Sequence, residues 1–232
     1  MTASDDSIYY RDGLKLPFAQ RVFAGARYRI YDLFRRECRL GEQTTIVDVG
    51  VSEEVVGPAN IVEKLHPHRS RITCAGIGDR RAVLEAYPGV AFQAIEPGRP
   101  LPFADRQFDV AFSNAVLEHV GGAAERRRFI AGMMRIADLV FISVPNRWFP
   151  VEHHTGMPLL HYAPGMFRSA LRGTRYAYWT DPANLDFLDR DLLRREWPDT
   201  ANPPRILTTG IALGRFSSNL AAIWSREPPP PS

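Results

Sequence analysis

The chain has 232 residues, 45% of them hydrophobic and 24% charged, with a formal charge of +3; this excludes disordered and fibrous classes and leaves room for one core of good size. Its basicity is arginine, since Lys15 and Lys64 are the only lysines, and it is scattered along the chain rather than gathered into a block, which argues against a dedicated nucleic-acid face. Cys38 and Cys74 match no metal spacing or redox pair and read as reduced core residues.

The start, "MTASDDSIYY", is polar and acidic where a secretory leader is basic and then apolar, and no apolar run has the length of a membrane span. A cytoplasmic protein without a membrane span is expected. From Pro17 to Arg39, Val22, Tyr31, Phe34 and Cys38 recur at helical spacing among arginines, so an amphipathic helix covering a sheet edge is predicted. Five apolar runs follow, "TTIVDVG", "RITCAGIG", "VAFQAI", "FDVAFSN" and "DLVFISVP", separated by helical segments. Strands alternating with helices read as parallel βα units, doubly wound into one sheet with helices on both faces.

Among the connecting segments, Asn60 and Glu63 have the spacing of a capping box, which predicts a helix ending near His66 or Pro67. In "AAERRRFIAGMMRIA" the residues Phe129, Ile130, Met133, Met134 and Ala137 share one side, which leaves Arg126 to Arg128 as a solvated face. Past Pro145 the stretch from Asn146 to Ala163 is rich in Pro, His and aromatics and too long for an economical connection; such insertions usually carry function. "LDFLDRDLLRREW" reads as a further helix, "PRILTTGIALG" and "NLAAIWSRE" as a closing pair of strands, and "PPPPS" as a frayed tail.

Ligands of a doubly wound sheet bind outside the carboxyl ends of its strands, where the winding reverses. The residues there are Asp48 and Gly50 after the first strand, Gly76 to Asp79 after the second, Glu96 after the third, Asn114 to His119 after the fourth and Asn146 to His154 after the fifth. The segment "LPFADRQFDVAFSNAVLEHV", Leu101 to Val120, resembles the central segment of class I S-adenosylmethionine-dependent methyltransferases of the small-molecule type. The likeness extends more loosely from Thr44 to Pro145 and to the closing strands, and "PNRWFPVEHHTGMPLLHYAP" is similar to a segment of a bacterial subgroup of that family.

This resemblance implies a Rossmann-like, seven-stranded, mostly parallel sheet with an antiparallel closing strand. It also implies one domain, 44–232, with an N-terminal helical cap at 1–43 and an acceptor-side insertion at about 146–185. S-adenosylmethionine is the implied cofactor, held by Asp48, Val49, Gly50, Asn60, Gly76, Ile77, Asp79, Glu96, Asn114 and Ala115. The family's acid at the end of the second strand falls on Gly78, so Asp79 is expected to take the ribose contact. Glu96 would lie near the adenine, and Asn114 and Ala115 near the methionine moiety; the other reading of Asn114 is a helix cap.

The first turn departs from the family, because its glycines are replaced by Val51, Ser52, Glu53 and Glu54. Gly57 and Pro58 let a longer loop swing outward, and Glu53 or Glu54 either accepts from the cofactor's ammonium or is solvated.

Methyl transfer needs an acceptor held in line with the sulfonium methyl, and a hydroxyl acceptor gains from a base, for which His119, His153 and His154 are the candidates. His66, His68 and His161 look peripheral. Glu118, His119, His153 and His154 also raise the question of a divalent cation; relatives that hold one there carry a further acid one turn earlier, where this chain has Ala115, so no metal is expected. Trp148, Phe149, Tyr162, Phe167 and Trp179 either wall the acceptor or form plain core. The expected activity is methyl transfer to an oxygen or nitrogen of a small molecule, sugar-containing or a natural-product intermediate, with no nucleic-acid partner. The altered first turn and displaced acid also suit a fold that has lost catalysis and serves as a binding partner.

Overall fold

The computed structural model describes residues 17–52 and 59–227, with the side chains of the first helix described from residue 25. Seven strands form one sheet: β1 (Ile46–Val49), β2 (Ile72–Gly76), β3 (Ala91–Ala94), β4 (Phe108–Asn114), β5 (Ala137–Pro145), β6 (Arg205–Leu213) and β7 (Phe216–Ser225), in the order β3-β2-β1-β4-β5-β7-β6. The first five pair in parallel, and β7 runs antiparallel to both β5 and β6. Each expected strand is present, including the closing pair. Parallel strands are covered on both faces and need continuous apolar sequence, which is why "IVDV" and "FISV" stand out without strict alternation; every residue of β1 is buried.

The helices are α1 (Pro17–Glu37), α2 (Ile61–Leu65), α3 (Arg80–Ala86), α4 (Ala123–Ile136), α5 (Pro164–Leu171) and α6 (Arg190–Glu196). On one face α1, α2 and α3 pack over β1, β2 and β4 through Ile30, Phe34, Ile61, Val62 and Val83. The Phe34 ring sits 4.5 Å from Phe112 and 5.2 Å from Phe141. As expected, the first helix covers a sheet edge, packing over the edge strand β6, where Arg29 donates to the Gly210 carbonyl at 3.1 Å, and its Phe34 reaches inward to β4 and β5. Its predicted stripe holds at the buried Tyr31, Phe34 and Cys38; Val22 lies outside the described side chains. Both cysteines are free and buried, and burial pushes the Cys38 thiol up to about 12.

On the opposite face α4 and α6 pack with Ile130, Met133, Leu193 and Trp197 against Val140, Ile142 and Leu220. Arg126 corrects the expectation of a wholly solvated arginine triplet. It is only 3% exposed and donates to both Glu196 oxygens at 2.6 and 2.8 Å, to Asp186 at 2.9 Å and to the Gly121 carbonyl at 2.6 Å. Arg127 and Arg128 do face solvent. Helical periodicity put all three outside, but a carboxylate arriving from α6 gives one of them a buried partner.

The capping-box reading of Asn60 and Glu63 is also corrected. The helix does run from Ile61 to Leu65 and stop at His66, yet Asn60 makes no side-chain cap bond, and Glu63 is fully buried. Between β5 and β6 the insertion builds its own small core from Phe167, Leu171, Trp179, Leu185 and Phe187. It is tied back to the sheet through Arg147 N–H to the Leu188 carbonyl and Asp186 N–H to the Glu118 carbonyl, both 2.9 Å.

Candidate active site

The winding reverses between β1 and β4, which are hydrogen-bonded neighbours with β2 and β5 on their far sides. Their carboxyl ends open a crevice. Gly50 leaves β1 with φ of 102°, and a Cβ there would collide with Val116 Cγ2. Only glycine lets the first loop pass the loop after β4 so closely. Gly76 plays the same part at the end of β2, where a Cβ would come within 2.9 Å of the Val51 carbonyl.

Asn60, in the left-handed region at φ 53°, clips the first loop: its Oδ1 accepts from Ser52 N–H at 3.0 Å and its Nδ2 donates to the Ser52 carbonyl at 2.7 Å. Amide geometry, not helix capping, explains this residue. Glu53, Glu54, Gly57 and Pro58 lie outside the described residues.

Val49 is wholly buried. Asp48 is buried against Glu63, and Glu63 Oε1 accepts from Cys74 Sγ at 3.3 Å. Burial raises both carboxyls above their ordinary values, Asp48 the more so because the Glu63 charge beside it adds to the burial. Ile77 is 52% exposed. Asp79 starts α3, where its side chain accepts from Arg81 N–H at 2.8 Å, so the expected ribose acid also caps a helix. Glu96 is exposed and stands 3.8 Å from Arg99.

At the end of β4, Asn114 Oδ1 is buried and accepts no hydrogen bond among the described residues. The short turn that follows is entered at Val116 without a side-chain cap, so the capping alternative for Asn114 falls. Ala115 takes φ of 57° and donates to the Ser143 carbonyl at 2.8 Å. A left-handed alanine costs strain, and here it turns the backbone so that Leu117–His119 folds back over the strand end.

That turn delivers Glu118 and His119 to the insertion. His119 Nδ1 lies 2.5 Å from the Asn184 carbonyl, and its ring stands edge-on to His154 with centroids 5.0 Å apart. One ligand-capable atom from each of Glu118, His119 and His154 lies within 4.8 Å of the other two. Trp179 covers the pair, 5.9 Å from the His119 ring and 4.8 Å from the His154 ring. Glu118 is 1% exposed, and neither of its carboxyl oxygens accepts a hydrogen bond among the described residues. Burial pushes its carboxyl up to about 7 and His119 down to about 3.

The residue that sequence reasoning missed is Glu152. Burial works to raise its carboxyl, but the His154 charge and donors from His154 N–H, His154 Nδ1, Thr155 N–H and Thr155 Oγ1, at 2.6 to 3.0 Å, bring it down to about 2. In return, burial disfavours charge on His154 but Glu152, and then Glu118, raise it above the usual histidine value. The spacing "EHHT" carried the signal, since an acid two residues before a histidine can close a tight turn on it.

His153 stands outside the trio; its ring lies 5.8 Å from Phe149, and burial holds it down to about 4. His161 is not peripheral. It is 2% exposed, donates from Nε2 to the Arg147 carbonyl at 2.8 Å, and lines the same small pocket as Glu118, Glu152, His153 and His154, about 20 Å³ in volume. Of the expected aromatic wall, Phe167 and Trp179 are core of the insertion while Trp148 is 46% exposed, its carbonyl accepting from Tyr162 OH at 2.7 Å.

Residues 59–138 match the family model for a methyltransferase domain. No curated protein matches the chain in sequence. Its fold is that of many solved structures. A methyltransferase from Thermotoga maritima, a possible histamine N-methyltransferase, aligns at TM-score 0.57 and 13% identity over 90% of this chain and 92% of its own. Magnesium protoporphyrin IX methyltransferase from Synechocystis, solved with S-adenosylhomocysteine bound, aligns at 0.56 and 15% over 96% and 92%. The N-methyltransferase NodS of Bradyrhizobium japonicum aligns at 0.52 and 14% over 86% and 94%.

Proposed function

We propose that this chain, a class I S-adenosylmethionine-dependent methyltransferase by its matched domain and its sheet, moves a methyl group to an oxygen or nitrogen of a small molecule. The observation that carries the reading is the joining of Glu118, His119 and His154 at the ends of β4 and β5, beside the loops that suit the cofactor. Gly50 and Gly76 allow close backbone approach and Asn114 offers an open amide acceptor; in this reading Asn114 and Ala115 meet the methionine moiety, Asp79 the ribose and Glu96 the adenine.

The acceptor heteroatom attacks the methyl carbon in line, the carbon–sulfur bond breaks, and sulfur keeps the electron pair. A neutral thioether leaves. Alignment and exclusion of water supply most of the barrier reduction, and Trp179 and the buried pocket around His154 exclude water here. The acceptor's proton leaves toward the carboxylate and histidines of the cluster.

The glycine at position 78, where the family keeps its acid, and the engagement of Asp79 in capping favour a second reading, a fold that binds without catalysing. The test uses cofactor labelled in its methyl group together with a metabolite extract. Label is expected in the small-molecule fraction, and His154→Ala is expected to lower turnover by roughly ten-fold to ten-thousand-fold with affinity for S-adenosylhomocysteine nearly unchanged. Label found only in nucleic acid would overturn the acceptor class; bound cofactor without any transfer would favour the second reading.

A further inference from the structure

We infer that Glu118, His119 and His154 form a binding site for one divalent transition-metal ion, of the kind that takes imidazole and carboxylate together, at the acceptor end of the crevice. The first argument is tautomeric. His119 Nδ1 faces a backbone carbonyl, Asn184 O at 2.5 Å, and His154 Nδ1 faces a carboxylate, Glu152 Oε1 at 2.7 Å. Both partners only accept, so both Nδ1 atoms carry the hydrogen and, in the neutral rings, both Nε2 atoms carry the lone pair. Metal-ligating histidines are held in this way, by a carbonyl or carboxylate on the far nitrogen that fixes ring and tautomer.

The second argument is the carboxylate. Glu118 is 1% exposed and its two side-chain oxygens accept no hydrogen bond among the described residues. A buried carboxyl left in this state is costly unless a cation compensates it. His119 Nε2 stands 3.8 Å from Glu118 Oε1. The backbone on either side is pinned, through Ala115 N–H to the Ser143 carbonyl at 2.8 Å and Asp186 N–H to the Glu118 carbonyl at 2.9 Å, so the carboxyl cannot easily swing to water.

The third is distance. The three ligand atoms lie within 4.8 Å of one another, whereas atoms about 2.1 Å from a tetrahedral ion stand roughly 3.4 Å apart. A closing of up to about 1.4 Å by side-chain rotation joins them. Two nitrogens and one oxygen favour zinc, manganese or iron(II) over magnesium, which prefers an all-oxygen shell. Among the described residues there are three protein ligands, and an acceptor hydroxyl bound beside them would be polarised toward its alkoxide. The inference deepens the proposed transfer reaction and rests on it only for the use of the ion.

Chelator-stripped full-length protein titrated calorimetrically with zinc, then with manganese and magnesium, tests the site, with S-adenosylhomocysteine titrated into the same samples. One zinc per chain is expected, with affinity lowered at least ten-fold in Glu118→Gln and in His154→Ala, and ten- to hundred-fold in Glu152→Gln. Cobalt(II) loaded into the parent protein should give visible bands of an open nitrogen–oxygen site, a readout that needs no variant to fold. Absence of a stoichiometric zinc, or a zinc affinity unaltered in Glu118→Gln, overturns the site. If S-adenosylhomocysteine binds while zinc does not, only the metal inference fails; the reverse result leaves the site standing and removes the transfer reading.

Discussion

Single residues hold the clearest departures from what local sequence suggests, and Glu63 is one of them. A polar residue three positions after Asn60 invited a capping role, but it lies under the first loop, sharing a buried space with Asp48 and Cys74. Both carboxyls have pKa values raised in the folded state, chiefly by burial. A raised acid binds its proton more tightly when folded than when unfolded, so its stabilising effect is complete in acid and is lost as pH climbs from the ordinary values of 3.8 and 4.5 toward the folded ones. Glu63→Gln removes one of the competing charges. Urea unfolding from pH 4 to pH 8 is expected to show a flatter profile for the variant and greater stability than the parent at pH 8, with the difference shrinking toward pH 4. Parallel profiles would mean that the two carboxyls do not share a proton.

Among elements, α4 and α6 illustrate how a helix pair acquires a buried charge. Arg126 on α4 reaches Glu196 on α6 and Asp186 ahead of it, and all three sit next to the turn that carries Glu118. Removing one partner of such a pair leaves the other charge buried and alone, which costs about 3–5 kcal/mol. Arg126→Ala is expected to destabilise by that amount in denaturant titration. The double variant Arg126→Met with Glu196→Met should recover most of the loss, because a buried pair exchanged for apolar side chains of similar volume is close to neutral. Failure of the double variant to recover would assign the loss to Asp186 and to the Gly121 carbonyl instead. Helix α1 belongs to the same scale: its arginine-lined stripe and its place over a sheet edge were legible, whereas the reach of Phe34 inward to Phe112 and Phe141 was not, since an apolar stripe says that a helix is covered and not by which side chains.

For the whole molecule, the crevice gathers residues from the ends of β1, β2 and β4, so a ligand there binds only the folded chain. S-adenosylhomocysteine at a hundred times its dissociation constant is expected to stabilise the protein by about 2.7 kcal/mol, a rise in Tm of roughly 5–10 °C for a chain of this size. A thermal shift assay with and without the ligand checks it; an unmoved transition would remove the cofactor from the crevice.

Sequence alone determined the strands and their winding, because a strand buried on both faces must be written as a continuous apolar run, and such runs are local. It also determined the family resemblance, carried by Leu101 to Val120, and it narrowed the chemistry to histidines after β4 and β5. Tertiary structure decided which of these act together. His119 meets Asn184 across 65 positions of chain and Arg126 meets Glu196 across 70, separations at which no periodicity survives. The choice of His154 over His153 as the partner of His119, and the burial of Glu118, depend on how the insertion folds back on the sheet. A side chain's chemistry is local, but its dielectric surroundings and its partners are set by whatever the rest of the chain packs against it.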